Sequence, residues 1–150
     1  MATNSLFPSD FYDNIINNST NTQLPMLYDY LIDLETGHLI LDEYGRASIV
    51  SGANAIIMQT YRKLHTPKDT YCIYPNDYGS SLKDLIGKGK AYADSVIGEY
   101  LIKALVDNKY VLRVSNITTE LNGNNYNVNF TMTTVYGDIS YDMLDIDVSY

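Results

Sequence analysis

Three spacings of apolar residues succeed one another along this chain, and each implies a different kind of element. In "YDYLIDLETGHLILDEYGRASIV", residues 28–50, two short apolar stretches are separated by turn-forming residues at Glu35–Gly37 and Asp42–Gly45. That pattern predicts a β-hairpin or a small meander. The period then lengthens. Ala53, Ile56, Ile57, Thr60, Tyr61 and Leu64 recur at the spacing of one helical face. Ser51 is placed to cap the start of this helix, and Pro67 closes it. Arg62, Lys63 and His65 gather at its C-terminal end, where cations favour the helix dipole. A second helix is predicted over Tyr92–Asp107, with Ala93, Val96, Ile97, Tyr100, Leu101, Ala104 and Leu105 on its apolar face. Glu99 and Lys103 form an i, i+4 pair on its outer side.

The last third alternates. In "YNVNFTMTTVYG", Tyr126, Val128, Phe130, Met132 and Tyr136 alternate with Asn127, Asn129, Thr131, Thr133 and Val135. This predicts a strand buried on one face only. Val111–Leu121 is its expected partner across the "NGNN" turn, and the slip in alternation between Val114 and Ile117 points to a bulge. Gly137–Asp138 reads as a tight turn into Ile139–Tyr150, where Leu144, Ile146, Val148 and Tyr150 alternate with Asp145, Asp147 and Ser149. Together these elements predict an α+β fold, with two amphipathic helices packed on an antiparallel sheet. Residues 1–27, polar and broken by Pro8 and Pro25, read as an N-terminal arm with one helical turn near Asp10–Ile16. The expected organisation is therefore an arm over 1–27, a domain over 28–142 and an extended C-terminal segment over 143–150.

Between the helices lies "YCIYPNDYGSSLKDLIGKGKAY". Pro75, Asn76 and Asp77 are turn formers that would end a "TYCIY" strand. Tyr78 can anchor the corner by its ring, and Gly79 permits a backbone angle that other residues resist. Ser81 and Asp84 resemble a capping box for a short helix over Leu82–Ile86, stopped by Gly87. Every residue in the stretch has a structural role.

Composition narrows the function classes. A formal charge of −8 opposes non-specific nucleic-acid binding and docking on anionic membranes. The 15 tyrosines, with no tryptophan, suit wet interfaces, because a tyrosine ring packs while its hydroxyl bonds a partner. The single cysteine, Cys72, excludes an internal disulfide and a cysteine-rich metal site, and its apolar neighbours suggest a small buried residue. No signal peptide or membrane-length apolar run is read, so the protein is expected to be made and kept in a cytoplasm until something larger carries it elsewhere.

Catalytic patterns fare poorly. No phosphate loop closes, since Gly79 leads to Lys83–Asp84, and Gly87–Lys88 is followed by Gly89. The two histidines, His38 and His65, have no nucleophile context beside them. Glu35, Asp42, Asp69 and Asp77 are the carboxylates a glycosidase would draw on, yet nothing in their spacing separates them from solvated acids. No cofactor or metal is called for.

Four segments carry a resemblance: "YDYLIDLETGHLILDEYG", "IVSGANAI" leading into "YRKLHTP", "YCIYPNDYGSSLKDLIG" and "TMTTVYGDI". In this order and spacing, from about Tyr28 to Asp142, the chain resembles the small baseplate-wedge proteins of contractile phage tails and phage-tail-like bacteriocins. The likeness is strongest to the PBSX-type branch, some of whose members bear a lysozyme-like label. The resemblance implies a structural subunit and no enzyme. Such a subunit sits in the inner baseplate beside the tail tube or hub, bundles with larger wedge subunits and mimics the end domain of the sheath protein. Sheath assembly then starts from it, with six copies per baseplate in the finished particle. Related proteins carry a Glu-Pro-Arg-type motif before a Pro-Asp-Phe-Gly-like corner. Here the region reads "TPKDTYCIYPNDYG", with Asp69 in place of the acid and no arginine after it, while Asp77, Tyr78 and Gly79 match the corner.

The terminal "MLDIDVSY", with Leu144, Ile146, Val148 and Tyr150, has the pattern of a segment that joins a neighbour's sheet. With the resemblance, this points to strand exchange with the sheath protein. Two rival readings are a peptidoglycan hydrolase of the tail and a soluble adaptor outside any tail.

Overall fold

The computed structural model describes residues 24–123 and 125–147, so the expected arm up to residue 23 and the residues Val148 and Tyr150 lie outside it. Strands β1 (Tyr28–Tyr30) and β2 (Ile49–Ser51) pair antiparallel, with Tyr30 opposite Ile49. Between them the chain runs out and back as the predicted meander, with bridges at Ile32–Leu39 and Leu41–Ala47. Both turns are set by an aspartate that folds back on its own backbone. Asp33 Oδ1 accepts from the Glu35 amide at 3.0 Å and Asp33 Oδ2 from the Thr36 hydroxyl at 2.8 Å. Asp42 Oδ1 accepts from the Tyr44 and Arg46 amides at 2.8 and 2.9 Å.

Helix α1 (Ala53–His65) follows directly. The expected Ser51 cap does not form. Ser51 is still paired in β2 opposite Tyr28, so the chain turns at Gly52, whose φ of 61° is accessible to glycine and whose carbonyl accepts from the Ile56 amide at 3.2 Å. Ile56, Thr60 and Leu64 are buried on the predicted face, but Ala55 and Met58 are buried as well. The second flank is covered by the meander, where the Ile32 amide donates to Met58 Sδ at 3.2 Å. A single apolar stripe describes a helix lying on one sheet; α1 is packed between two.

Helix α2 (Lys90–Leu105) matches the second prediction, with Ala93, Ile97, Leu101, Ala104 and Leu105 buried. Strands β3 (Val111–Asn122), β4 (Asn125–Thr134) and β5 (Gly137–Asp147) form an antiparallel sheet in that order. Along β4 the buried positions are Tyr126, Val128, Phe130, Met132 and Thr134, as the alternation predicts. The expected bulge is present. Asn116 and Ile117 oppose one residue of β4, and Asn116 takes a φ of 52°. The β4–β5 turn lies two residues earlier than predicted, at Val135–Tyr136, because Thr134 pairs with Gly137 and its hydroxyl donates to the Gly137 carbonyl at 2.7 Å. The C-terminal segment continues this sheet: register sets Leu144 opposite Val128 and Ile146 opposite Tyr126.

The core lies where both helices meet the inner face of the three-stranded sheet, with Leu85, Leu101, Leu105, Val128, Phe130 and Met132 at its centre. Phe130 and Tyr141 stack at 5.2 Å across β4 and β5. One polar tie fixes α2 to the sheet. Asp94 accepts from the hydroxyls of Tyr126 and Thr119, the latter at 2.7 Å, and pairs with Lys90 at 3.4 Å. Among the described residues no helix is long and apolar enough to cross a membrane.

Two consequences are measurable. Leu101 is fully buried, so Leu101→Ala should lower unfolding free energy in urea by about 2–5 kcal/mol. The Tyr126 and Thr119 hydroxyls and Lys90 hold the Asp94 carboxyl below its usual value of 3.8. A depressed carboxylate pKa contributes stability above the unfolded value and loses it as pH falls through the folded one. The stability gap between the wild type and Asp94→Asn should therefore be flat from neutral pH down to about pH 5 and close below 3.8.

Candidate functional site

Two surfaces stand out: the loop between the helices and the outer edge of β5. The loop is pinched at its base. The Lys68 amide donates to the Ser80 carbonyl at 3.0 Å, and the Ser80 amide donates to the Thr66 carbonyl at 2.9 Å. The Ser80 hydroxyl donates to the Leu64 carbonyl at 2.8 Å, satisfying an acceptor at the end of α1. The backbones approach so closely that a Cβ on Gly79 would sit 2.6 Å from the Thr66 oxygen, and its φ of 98° is itself unsuited to other residues. Residues 67–79 thus form a closed surface loop packed by its own side chains.

Inside it, Tyr74 and Tyr78 stack at 4.4 Å, and Tyr71 meets Tyr74 edge-on at 6.4 Å. Burial pushes the Tyr78 phenol above its usual range, partly offset by the nearby Arg62 guanidinium. Arg62 in turn pairs with Asp29 of β1, whose side chain is only 4% exposed while that of Arg62 is 41% exposed. One ion pair therefore links the meander to α1. Sequence reading assigned Arg62 to the helix dipole, because its partner lies 33 residues upstream.

Asp69, Asp77, Tyr78 and Gly79 all lie on this loop, but Asp69 opens onto a different hollow from Asp77 and Gly79. Asp69, at φ 56°, and Asp77 are both exposed. Asp77 lines a polar hollow with Lys68, Ser81, Tyr100 and Lys103, and Asp69 lines another with Lys83 and Asp84. The predicted "TYCIY" strand does not exist, and Cys72 is exposed and not buried. The pinch at Gly79 closes the loop before those residues find a strand to pair with. They form its tip instead, with Ile73 85% exposed beside Tyr71 and Tyr74. The short helix is a 3-10 turn over Leu82–Leu85, and Ser81 gives no side-chain cap. Tyr71 and Ile73 were missed as surface residues. Their signal was a short apolar run hemmed in by Pro67 and Pro75.

The second surface is the sheet edge. Both β3 and β5 are edge strands. The β3 edge is broken at Leu112 and again at Asn116–Ile117, and bulges of this kind discourage further pairing. In β5, Gly137–Tyr141 pairs with β4 without interruption, and a bulge at Asp142–Met143 precedes the stretch carrying Leu144 and Ile146. Among the described residues nothing pairs with the outer side of β5.

Neither surface resembles a hydrolytic centre. Glu35 and Asp42 sit in different turns of the meander. The Arg46 and Tyr44 amides and the Arg46 side chain hold the Asp42 carboxyl below its usual range, the opposite of what a general acid requires. No cluster of metal-ligating side chains occurs among the described residues.

Comparison with known proteins gives a consistent result. Residues 28–137 match the family described as contractile injection system sheath initiator. The chain is also similar to the phage-like element PBSX protein XkdS of Bacillus subtilis strain 168, with 26% identity over 116 residues, covering 75% of this chain and 78% of that protein.

The geometry of the pinch and of the ion pair can be tested directly. Gly79→Ala should destabilise the protein by about 2 kcal/mol or more in urea unfolding, since both the backbone angle and the space are wrong. Arg62→Met, which strands the buried Asp29 carboxylate, should cost about 1–3 kcal/mol, less than a fully buried pair because the guanidinium reaches water.

Proposed function

The chain belongs to the contractile injection system sheath initiator family, and on that premise we propose that it joins the inner wedge of a contractile-tail baseplate to the first ring of sheath and nucleates sheath assembly. It acts as a structural subunit and cleaves no bond. The observation that carries this reading is the outer side of β5, which no described residue pairs with and whose Gly137–Tyr141 stretch runs without a bulge. An open edge supplies backbone donors and acceptors to a strand from another protein, and alternate side chains set the register. Asp145 and Asp147 alternate there with Leu144 and Ile146, a charge pattern that limits indiscriminate edge pairing. Strand exchange with the sheath protein uses this edge and the tail that carries Val148 and Tyr150.

The loop serves the other side of the joint. Its base is pinched where Gly79 meets Thr66, Asp69, Asp77 and Tyr78 lie along it, and its tip presents Tyr71, Ile73 and Tyr74 to larger wedge subunits. An exposed apolar tip on a stiff base is suited to docking, because little conformational entropy is lost when it is buried. Six copies around the tail axis, beside the tube or hub, complete the arrangement in the particle.

Baseplates assembled without this chain should carry no sheath, and supplying the chain in trans should restore it. Sheath of normal length on particles lacking the chain would overturn the reading. The loop has its own readout. Cys72 is the single cysteine and is exposed, so a maleimide should label the free chain readily and the assembled baseplate at least tenfold more slowly.

A further inference from the structure

A groove lies alongside the edge of β5 that no described residue pairs with. Helix α1 lines it with Ile57, Tyr61 and His65, β5 with Ser140, Tyr141 and Asp142, and Leu34 closes it from the first meander turn. Its volume is about 260 Å³, room for one large side chain. Tyr61 and His65 stack at 4.1 Å, and the His65 Nδ1 lies 2.8 Å from the Tyr61 carbonyl, which fixes that wall. Leu34 is 42% exposed, so the mouth of the groove is apolar and wet.

Strand geometry defines what fits. Tyr141 is buried and stacked on Phe130, so Ile139 and Tyr141 face the helices while Asp138 and Ser140 alternate to the other side, and Asp142, at the bulge, lies on the rim of the groove. A strand laid along Gly137–Asp142 therefore points every second side chain toward α1, and the one beside Tyr141 enters the groove. The intervening side chains lie next to Asp138 and Ser140, with Asp142 at the rim of the groove, all three exposed. Asp145 and Asp147 extend the acidic series in sequence, on a chain of net charge −8. Opposite charges are favoured directly across a strand pair and like charges are disfavoured.

We propose that the groove between α1 and β5 is a specificity pocket for an extended segment of a neighbouring protein, one carrying a large apolar residue flanked on alternate positions by lysine or arginine. This deepens the proposed function and rests on its reading of β5 as the joining edge. The backbone edge supplies general affinity for a strand; the pocket and the aspartates select one segment and one register.

The experiment uses full-length chain in assembled particles. Benzoylphenylalanine incorporated at Leu34, then photolysed, should capture a neighbour's peptide with the alternating basic and apolar pattern, identified by mass spectrometry. Capture of an acidic or helical segment, or no capture from particles that contain the chain, would overturn the proposal. In parallel, the double variant Asp138→Lys, Asp142→Lys should keep the wild-type Tm and reduce sheathed particles at least tenfold. Reversing the charges on the captured segment should restore them. If the double variant sheathes normally while particles lacking the chain do not, the pocket proposal fails and the initiator reading stands. If particles sheath without the chain, the reading beneath it fails.

Discussion

Burial of α1 on two flanks is the constraint on which the rest of the structure depends. The helix presents Ile56, Thr60 and Leu64 to the main core and Ala55 and Met58 to the meander. Removing either layer would expose an apolar flank, so the β1–β2 sheet and the three-stranded sheet are held in one arrangement about a shared element. Arg62, in the last turn of the same helix, pairs with Asp29 of β1. The loop is tied to the end of α1 by the Thr66, Lys68 and Ser80 backbone bonds and by the Ser80 hydroxyl on the Leu64 carbonyl. A flexible segment of similar composition would not present Ile73 and its tyrosine neighbours in a fixed place.

Assembly proteins need surfaces that are open before assembly and specific during it. The molecule separates these requirements in space. The loop tip offers exposed apolar side chains on a pinned base, a surface suited to packing against other side chains. The β5 edge offers backbone groups, which pair with any strand unless neighbouring side chains discriminate. Aspartates along β5 and the groove beside Tyr141 provide that discrimination in the arrangement we propose. The β3 edge, interrupted by two bulges, is left unsuited to the same use.

Sequence periodicity by itself determined the helices, the alternating strand Asn125–Thr134, the bulge near Asn116 and the α+β class, because each depends on residues close together in the chain. The turns at Asp33 and Asp42 were legible for the same reason: an aspartate bonds to amides two to four residues away. Asp77, Tyr78 and Gly79 were recognisable as a corner. What the corner is for came from the tertiary structure, which alone decided that Thr66 and Gly79 touch, that Cys72 and Ile73 reach solvent and that Arg62 finds Asp29. It also moved the last turn to Val135–Tyr136, since strand register is settled by pairing across the sheet and not by a glycine in the chain. Local spacing encodes which element forms. Contacts between residues distant in sequence decide which faces the described residues leave open.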